Sequence, residues 1–299
     1  MNCSKIGIVT VLYNSENVLK EFFQTLNIQT YKNLVLYIVD NKSPDNSLLI
    51  SKQLAKTLNF ETIIIENNEN SGVAKGNNIG IKHALKDNCE MILLSNNDIV
   101  LEENTIDILL NGLNEENATM SVPKIYMYQS NKIWCAGGDF NHKNGTTSHR
   151  GIGNFDSGEY DKREYVEYTP TCFMLIKSSV FDRVGYMDEK YFVYYDDTDF
   201  LYRAIIKNTE KLVYIPESTI QHNDGSSTGG LYSPFSIFFM NRNRLYFSYK
   251  NLTFKTFLKV TIYSYTKLIL KFVINYKGQY KIWKKGIEGL SAGLNLIYK

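Results

Sequence analysis

The densest concentration of chemically useful side chains lies between residues 185 and 203, in GYMDEKYFVYYDDTDFLYR. Asp188, Glu189, Asp196, Asp197 and Asp199 stand there among seven aromatic residues. Crowded carboxylates repel one another, and apolar surroundings raise the pKa of at least one of them. Such an acid suits a general base or a metal site. The alternative, an acidic solvated helix start, seldom carries so many Tyr and Phe residues. A second candidate is His222 in QHNDGSST, one of four histidines, following the apolar run LVYIP. A lone histidine is more often structural than a ligand; as a ligand it would pair with Asp98 of SNNDIV and a diphosphate. That mixed nitrogen and oxygen set suits manganese or magnesium. Asp98 reads equally as a helix cap for the segment 102–114.

A third feature is ENSGVAKGNNIG, where Gly72, Gly76 and Gly80 recur every four residues beside Asn70, Asn77 and Asn78. Glycines at a loop–helix junction admit a ligand or another element close to the backbone, and a helix N-terminus favours a phosphate. Close helix–sheet packing is the competing explanation. The segment matches neither GxGxxG nor the Walker pattern.

These residues need a scaffold. Over residues 1–120, IGIVTVLY, LVLYIVD, TIIIE and MILLSNND read as buried strands. They are separated by helical segments at 17–28, after Ser43 or Asp45 as a cap, at VAKGNNIGIKHALK, and from near Glu102. Short apolar strands alternating with helices predict an α/β fold with a mostly parallel sheet. Ligands of such sheets bind at the carboxyl ends of the strands. Polar residues gather there: Tyr13-Asn14, Asp40-Asn41, Asn67-Asn68 and Asn96-Asn97-Asp98. One Asn or Asp after a strand is an ordinary turn residue; four sets converging on one edge form a binding surface. Residues 120–230 are less regular, with turn signals at GGDF, HKNGTT and GIGNFDSGEY.

The chain has 299 residues, of which 43% are hydrophobic, enough for one large domain with an appendage. Its charge is divided. Residues 231–299 hold 12 basic residues and one acid, for +11, and the preceding residues carry −9. The stretch 251–274 predicts an amphipathic helix, with Lys255, Lys259, Lys267 and Lys271 on one arc. Phe254, Phe257, Leu258, Ile262, Tyr265, Leu268, Ile269 and Phe272 occupy the other. Four lysines make it unsuited to spanning a bilayer. It either packs on its own domain or lies on an anionic membrane surface. Cys3, Cys89, Cys135 and Cys172 are far apart, which argues against a thiolate zinc site. The start lacks signal-peptide features, so a cytoplasmic location is expected, at the inner face of the plasma membrane if the tail binds lipid.

Taken in order, VTVLYNS, VDNKSPDNS, ENSGVAKGNNIG, LLSNNDIV, VGYMDEKYFVYYDDTDFLYR, HNDGSSTGG and NRNRLYF resemble glycosyltransferase family 2, across about residues 5–250. The likeness is greatest to the rhamnosyltransferase-like branch of bacterial surface-polysaccharide enzymes. It implies a GT-A fold: a Rossmann-like sheet flanked by helices in a catalytic domain over 1–230, with a nucleotide-binding half (1–120) and an acceptor and metal half (121–230). A basic amphipathic helical tail would follow over 231–299. It also implies residue roles. Thr10, Tyr13, Asn14, Asp40 and Asn41 would hold the nucleoside, and Asn70, Gly72, Lys75 and Asn77 would line the donor pocket. Asn96-Asn97-Asp98 would replace the usual DxD triplet, lacking its first acid. Asp98 and His222 would bind Mn2+ or Mg2+, and Asp197, with Asp196 beside it, would be the base. The implied reaction is an inverting transfer from dTDP-rhamnose or a UDP-hexose to a glycan or lipid-linked glycan; no nucleic-acid partner is expected. Two rivals share some features. A nucleotidyltransferase usually needs a Gly-rich loop after the first strand, where this chain has NSENVLKEFF. A non-catalytic nucleotide-sugar-binding protein would not require Asp98, Asp197 and His222 together.

Overall fold

The computed structural model describes residues 4–223, 233–275 and 280–298, with side-chain surroundings undescribed at 271–275. Cys3, residues 224–230 of the HNDGSSTGG motif, and the side-chain environments of Lys271 and Phe272 therefore lie outside the described residues.

The expected alternation is present. In chain order it runs β1 (Ile6–Leu12), α1 (Leu19–Asn27), β2 (Leu34–Asp40), α2 (Ser47–Leu54), β3 (Glu61–Glu66), α3 (Gly72–Lys86) and β4 (Met91–Ser95). A short strand β5 (Ile99–Leu101) precedes α4 (Thr105–Glu115). The helix thus starts three residues later than Glu102, after a turn in which the Thr105 amide donates to the Glu102 carbonyl at 3.2 Å. Asp45 does not cap α2 as its first flanking residue, but its Oδ1 accepts the Ser47 amide at 3.2 Å. Beyond 120 come β6 (Met120–Met127), β7 (Ile133–Cys135), a hairpin of β8 (Phe140–Asn141) and β9 (Thr146–Thr147), β10 (Glu164–Tyr165) and β11 (Phe173–Lys177). Then follow α5 (Ser179–Val184), α6 (Asp196–Leu201) and β12 (Leu212–His222). Three helices close the chain: α7 (Pro234–Asn251), α8 (Phe254–Asn275) and α9 (Tyr280–Tyr298).

The main sheet has the order β10-β12-β6-β11-β4-β1-β2-β3, with β5 on β12 and β7 on β6. The β4-β1-β2-β3 half is parallel, and β11 is antiparallel to both β4 and β6. Strand alternation sends successive residues to opposite faces. Ile6, Ile8, Leu36 and Ile38 meet α1 and α4 on one side; Val9, Val35, Tyr37 and Leu94 meet α3 and the 200–214 region on the other. All seven residues of β2 are buried, as a strand covered on both faces requires.

The helices α7, α8 and α9 enclose a third, small core of Leu245, Val260, Leu268 and Leu290. Gly289 and Gly293 let α9 approach the α7 backbone: added Cβ atoms would stand 2.4 Å from the Phe238 carbonyl oxygen and 2.6 Å from that of Arg242. Only part of the predicted apolar arc of α8 faces this core. Phe257 and Leu268 are buried, whereas Phe254, Leu258, Ile262 and Ile269 are exposed.

Candidate active site

The carboxyl ends of β1, β2 and β4 form one edge, and most of the predicted nucleotide residues gather there. Thr10 is fully buried and Asn97 nearly so; the Asn97 amide donates to the Val11 carbonyl at 2.8 Å and lies 3.5 Å from the Thr10 hydroxyl. Asp40 is buried and accepts the Ser43 amide with both oxygens at 3.3 Å. Asn41 is committed internally. Its Nδ2 donates to the Gly72 carbonyl at 2.9 Å, and its Oδ1 accepts from Asn67 and Ser71 at 2.8 and 3.0 Å. It therefore ties β2 to the loop that starts α3. Tyr13 and Asn14 are exposed at the mouth, with Asn14 at φ 55°.

Asn70 Oδ1 accepts the Gly72 amide at 3.0 Å and shapes the turn into α3, while Lys75 is half-exposed beside Glu69. Asn77 is turned away from this edge: it is buried, with its amide 3.8 Å from the Met187 sulfur. Its neighbour Asn78 makes a two-way clamp on Met187, donating to its carbonyl at 2.9 Å and accepting its amide at 3.0 Å. The three glycines serve packing. Added Cβ atoms at Gly76 and Gly80 would stand 2.8 and 2.4 Å from Val11 and Val9 of β1. At Gly72, whose φ is +82°, the Cβ would stand 2.4 Å from the Phe192 carbonyl oxygen.

Asp98 and His222 meet although they lie far apart in the chain. Antiparallel pairing of β5 with β12 puts Ile99 opposite His222, so the residue before Ile99 falls beside the imidazole. Asp98 Oδ1 is 3.2 Å from His222 Nε2, and the Asp98 carbonyl accepts the Asn223 amide at 2.9 Å. Two ligands at right angles around a cation, each about 2.1 Å from it, stand about 3.0 Å apart, so the pair fits a divalent ion. His222 Nδ1 is buried with no hydrogen-bond partner among the described residues. Exposed Asn96 lies 3.4 Å from His222 Nε2. No group of three His, Cys, Asp or Glu residues that could hold a metal occurs among the described residues.

The five acids of 185–203 divide into two sets. Asp188 accepts from Lys250 Nζ at 2.7 Å and from the Tyr246 hydroxyl at 2.9 Å. Glu189 accepts from Asn78 at 3.0 Å. Asp199, fully buried, accepts from Arg203, Lys250, Tyr191 and Asn251. These three are structural. Asp196 and Asp197, at the start of α6, have no salt bridge among the described residues. Burial pushes Asp196 up to about 8, and the adjacent Asp197 charge adds to the shift. Burial also raises Asp197, against hydrogen bonds from Tyr168 and Thr198 and the field of His149 that pull it down. The Tyr168 hydroxyl donates to Asp197 Oδ2 at 2.9 Å, and the Thr198 amide donates to Oδ1 at 2.6 Å.

Tyr168 and His149 are not marked by motif or spacing. Nor is Trp134, whose ring centroid is 4.5 Å from His222 and 5.0 Å from His149; His149 in turn stacks 5.9 Å from Tyr168. This run of rings joins the Asp98–His222 pair to the Asp197 carboxylate. Beside Tyr168 opens a cavity of about 440 Å³, lined by the 139–148 hairpin, including Phe140, His142 and Thr147. The arrangement offers a polar sheet edge, a close Asp98–His222 pair, and a raised carboxylate bound by Tyr168, whose ring packs on Phe140 of the cavity wall.

The Glycosyl transferase family 2 model matches residues 7–185. Among curated proteins, the low-salt glycan biosynthesis hexosyltransferase Agl10 of Haloferax volcanii is 27% identical over 207 residues, 68% of this chain and 62% of the relative. Glycosyltransferase GlyG of Streptococcus pneumoniae is 26% identical, covering 71% and 68%. The dTDP-rhamnosyl transferase RfbF of Shigella flexneri is 27% identical, covering 75% and 71%. Among solved structures, S. aureus TarS 1-349 in complex with UDP superposes with a TM-score of 0.57 at 17% identity, over 92% of this chain and 74% of that one. GalNAc-T7 with UDP, GalNAc and Mn2+ superposes with a TM-score of 0.65 at 13% identity, over 99% and 57%. The structural likenesses identify the fold as GT-A.

Proposed function

The chain belongs to glycosyltransferase family 2, and from that premise we propose that it transfers a sugar from a nucleoside diphosphate, with inversion, using Asp197 as the base. The observation that carries this reading is the Asp197 environment: a carboxylate raised by burial, free of salt bridges among the described residues, and held by Tyr168, whose ring packs on Phe140 of the hairpin cleft. A hexose donor carried on UDP or dTDP would occupy the edge formed by Thr10, Asp40, Asn97 and the start of α3. The dTDP-rhamnosyl transferase among the relatives makes dTDP-rhamnose the first donor to try. The glycan or lipid-linked glycan acceptor would enter along the 139–148 hairpin. Asp197 would then take the proton from its attacking hydroxyl as the bond between the anomeric carbon and the diphosphate oxygen breaks, releasing the nucleoside diphosphate. Asp98 and His222 would hold Mn2+ or Mg2+, which when bound stabilises the charge of the diphosphate leaving group. Asn41, with its amide bound to the Gly72 carbonyl, would shape the pocket rather than contact the donor.

Replacing Asp197 by Asn tests the assignment. Transfer is expected to fall by about 10²–10⁴-fold, with UDP or dTDP affinity retained. Near-normal turnover removes Asp197 as base.

The exposed side of α8 supports a second element of the proposal, peripheral contact with an anionic membrane through 251–275. Phe254, Leu258, Ile262 and Ile269 face solvent beside exposed Lys255, Lys259 and Lys267. No helix among the described residues is long and apolar enough to cross a membrane. Liposomes containing anionic lipid should retain the chain and release it in high salt. Replacing Phe254, Leu258 and Ile262 with Ser should abolish retention; unchanged retention refutes this surface.

A further inference from the structure

The loop 191–195 leads directly into α6, and its backbone is unusual. Phe192, Tyr194 and Tyr195 have φ of 67°, 61° and 66°, a left-handed conformation that bulky side chains rarely adopt. Glycine would relieve the strain, but the aromatic groups are in use. Phe192 stacks 5.2 Å from Phe239, the Tyr194 hydroxyl lies 2.8 Å from that of Ser236, and the Tyr195 hydroxyl donates to the Gly145 carbonyl of the hairpin at 3.0 Å. The strain must be held by the surroundings.

One side chain supplies most of that hold. Asn243 of α7 is fully buried, and the two hydrogens of its Nδ2 are shared among the carbonyls of Tyr191, Val193 and Tyr194 at 3.0, 2.7 and 2.8 Å. Its amide orientation is set by Arg242, whose Nε donates to Asn243 Oδ1 at 2.8 Å. Arg242 also donates to the Lys190 carbonyl and, at 3.0 Å, to that of Tyr191. The remaining carbonyl, Phe192, accepts the Val73 amide at 2.6 Å. Val73 is in the first turn of α3, at the proposed donor edge, and Gly72 beside it leaves no room for a side chain against Phe192.

Every carbonyl from 191 to 194 is therefore taken, by α7 on one side and the start of α3 on the other. The geometry points to the 191–195 loop as a joint between donor edge and base, with Asn243 as the positioning residue that sets where α6 presents Asp197. This assignment rests on the Asp197 reading above. It gives NRNRLYF a role: Arg242 orients, Asn243 clamps, and the donor-side amide of Val73 closes the ring of contacts.

The test uses the full chain with Asn243→Ala, Asn243→Asp and Arg242→Lys. The steady-state readout is UDP or dTDP release from UDP-glucose or dTDP-rhamnose, whichever the wild type turns over. A displacement of the base by about 1 Å costs about 10²-fold, so kcat should fall by that order while donor KM and UDP or dTDP affinity stay within about threefold. Asn243→Asp keeps the shape but turns acceptors toward three carbonyls, so it should lose more kcat than Asn243→Ala; a packing role predicts the reverse order. If neither Asn243 variant folds, Arg242→Lys, which withdraws the orienting donor, should still lower kcat at unchanged KM. Hydrogen exchange provides a readout independent of chemistry: protection should drop in both 190–199 and 70–76. Unchanged exchange at 70–76 overturns the joint, whatever happens to kcat. Faster exchange at both segments with wild-type kcat overturns the positioning role. The Asp197→Asn variant separates this result from failure of the base assignment, because it removes the carboxylate without touching the loop carbonyls.

Discussion

Replacing Tyr168 by Phe removes the hydrogen bond to Asp197 and one with Thr147, and keeps the ring. The ring is 5% exposed and packs on Phe140 and His149, contacts that Phe retains. The lost bond that bears on the base is the 2.9 Å donation from the phenol to Asp197 Oδ2. A hydrogen bond to a charged group contributes about 1.5–3 kcal/mol, equivalent to about 1–2 pKa units. The bond favours the carboxylate form, so its removal raises an acid that burial has already raised. The base must be ionised to act. Transfer by the variant should therefore fall about 10–100-fold on the acidic limb of the pH–rate profile and converge with wild type on the alkaline plateau. Single-turnover release of UDP or dTDP, followed between about pH 5 and 9, measures both regions. A uniform loss at every pH with an unmoved limb would refute the reasoning, since the phenol would then act on something other than the Asp197 ionisation. An unchanged profile would refute it equally.

Replacing His222 by Ala should raise the Mn2+ or Mg2+ concentration needed for half-maximal transfer by about tenfold or more; an unchanged requirement removes it as a ligand. Asp196→Asn should alter stability more than turnover. The folded pKa of Asp196, about 8, lies above its ordinary value of 3.8, so between those values the native state binds more protons than the unfolded chain. Its contribution is fully present below about pH 4 and is lost as pH rises towards about 8. The wild-type melting temperature should consequently decline across that window, and the Asn variant should show a shallower decline by calorimetry; parallel curves would refute the shift.

The sheet is legible because its strands are continuous apolar runs bounded by polar turns, a pattern local in sequence. Ligand chemistry and family likeness both suggest the pairing of Asp98 with His222, but its geometry is not local in sequence. It depends on three residues of β5 folding back antiparallel onto β12, and nothing in IVL announces that register. The glycine repeat points toward a ligand when read alone. A spacing of four marks one helix face, and Gly76 and Gly80 use that face to meet β1. The tail reads as one apolar arc, but α7 and α9 cover only the side bearing Phe257, Val260 and Leu268.

The acid-rich block teaches the most about why local reading stops short. In sequence its five carboxylates look interchangeable. The partners that commit three of them come from elsewhere: Lys250, Tyr246 and Asn251 from α7, Asn78 from α3, with Arg203 one turn along. Once those bonds are formed, Asp188, Glu189 and Asp199 anchor the block and Asp196 and Asp197 keep no cation among the described residues. A buried carboxylate without a cation is costly to ionise, and that cost is what raises both acids toward the range where a base can work. The helix α7 therefore acts on the site twice: it neutralises the acids that hold the block, and through Asn243 it fixes the strained turn from which the remaining two project.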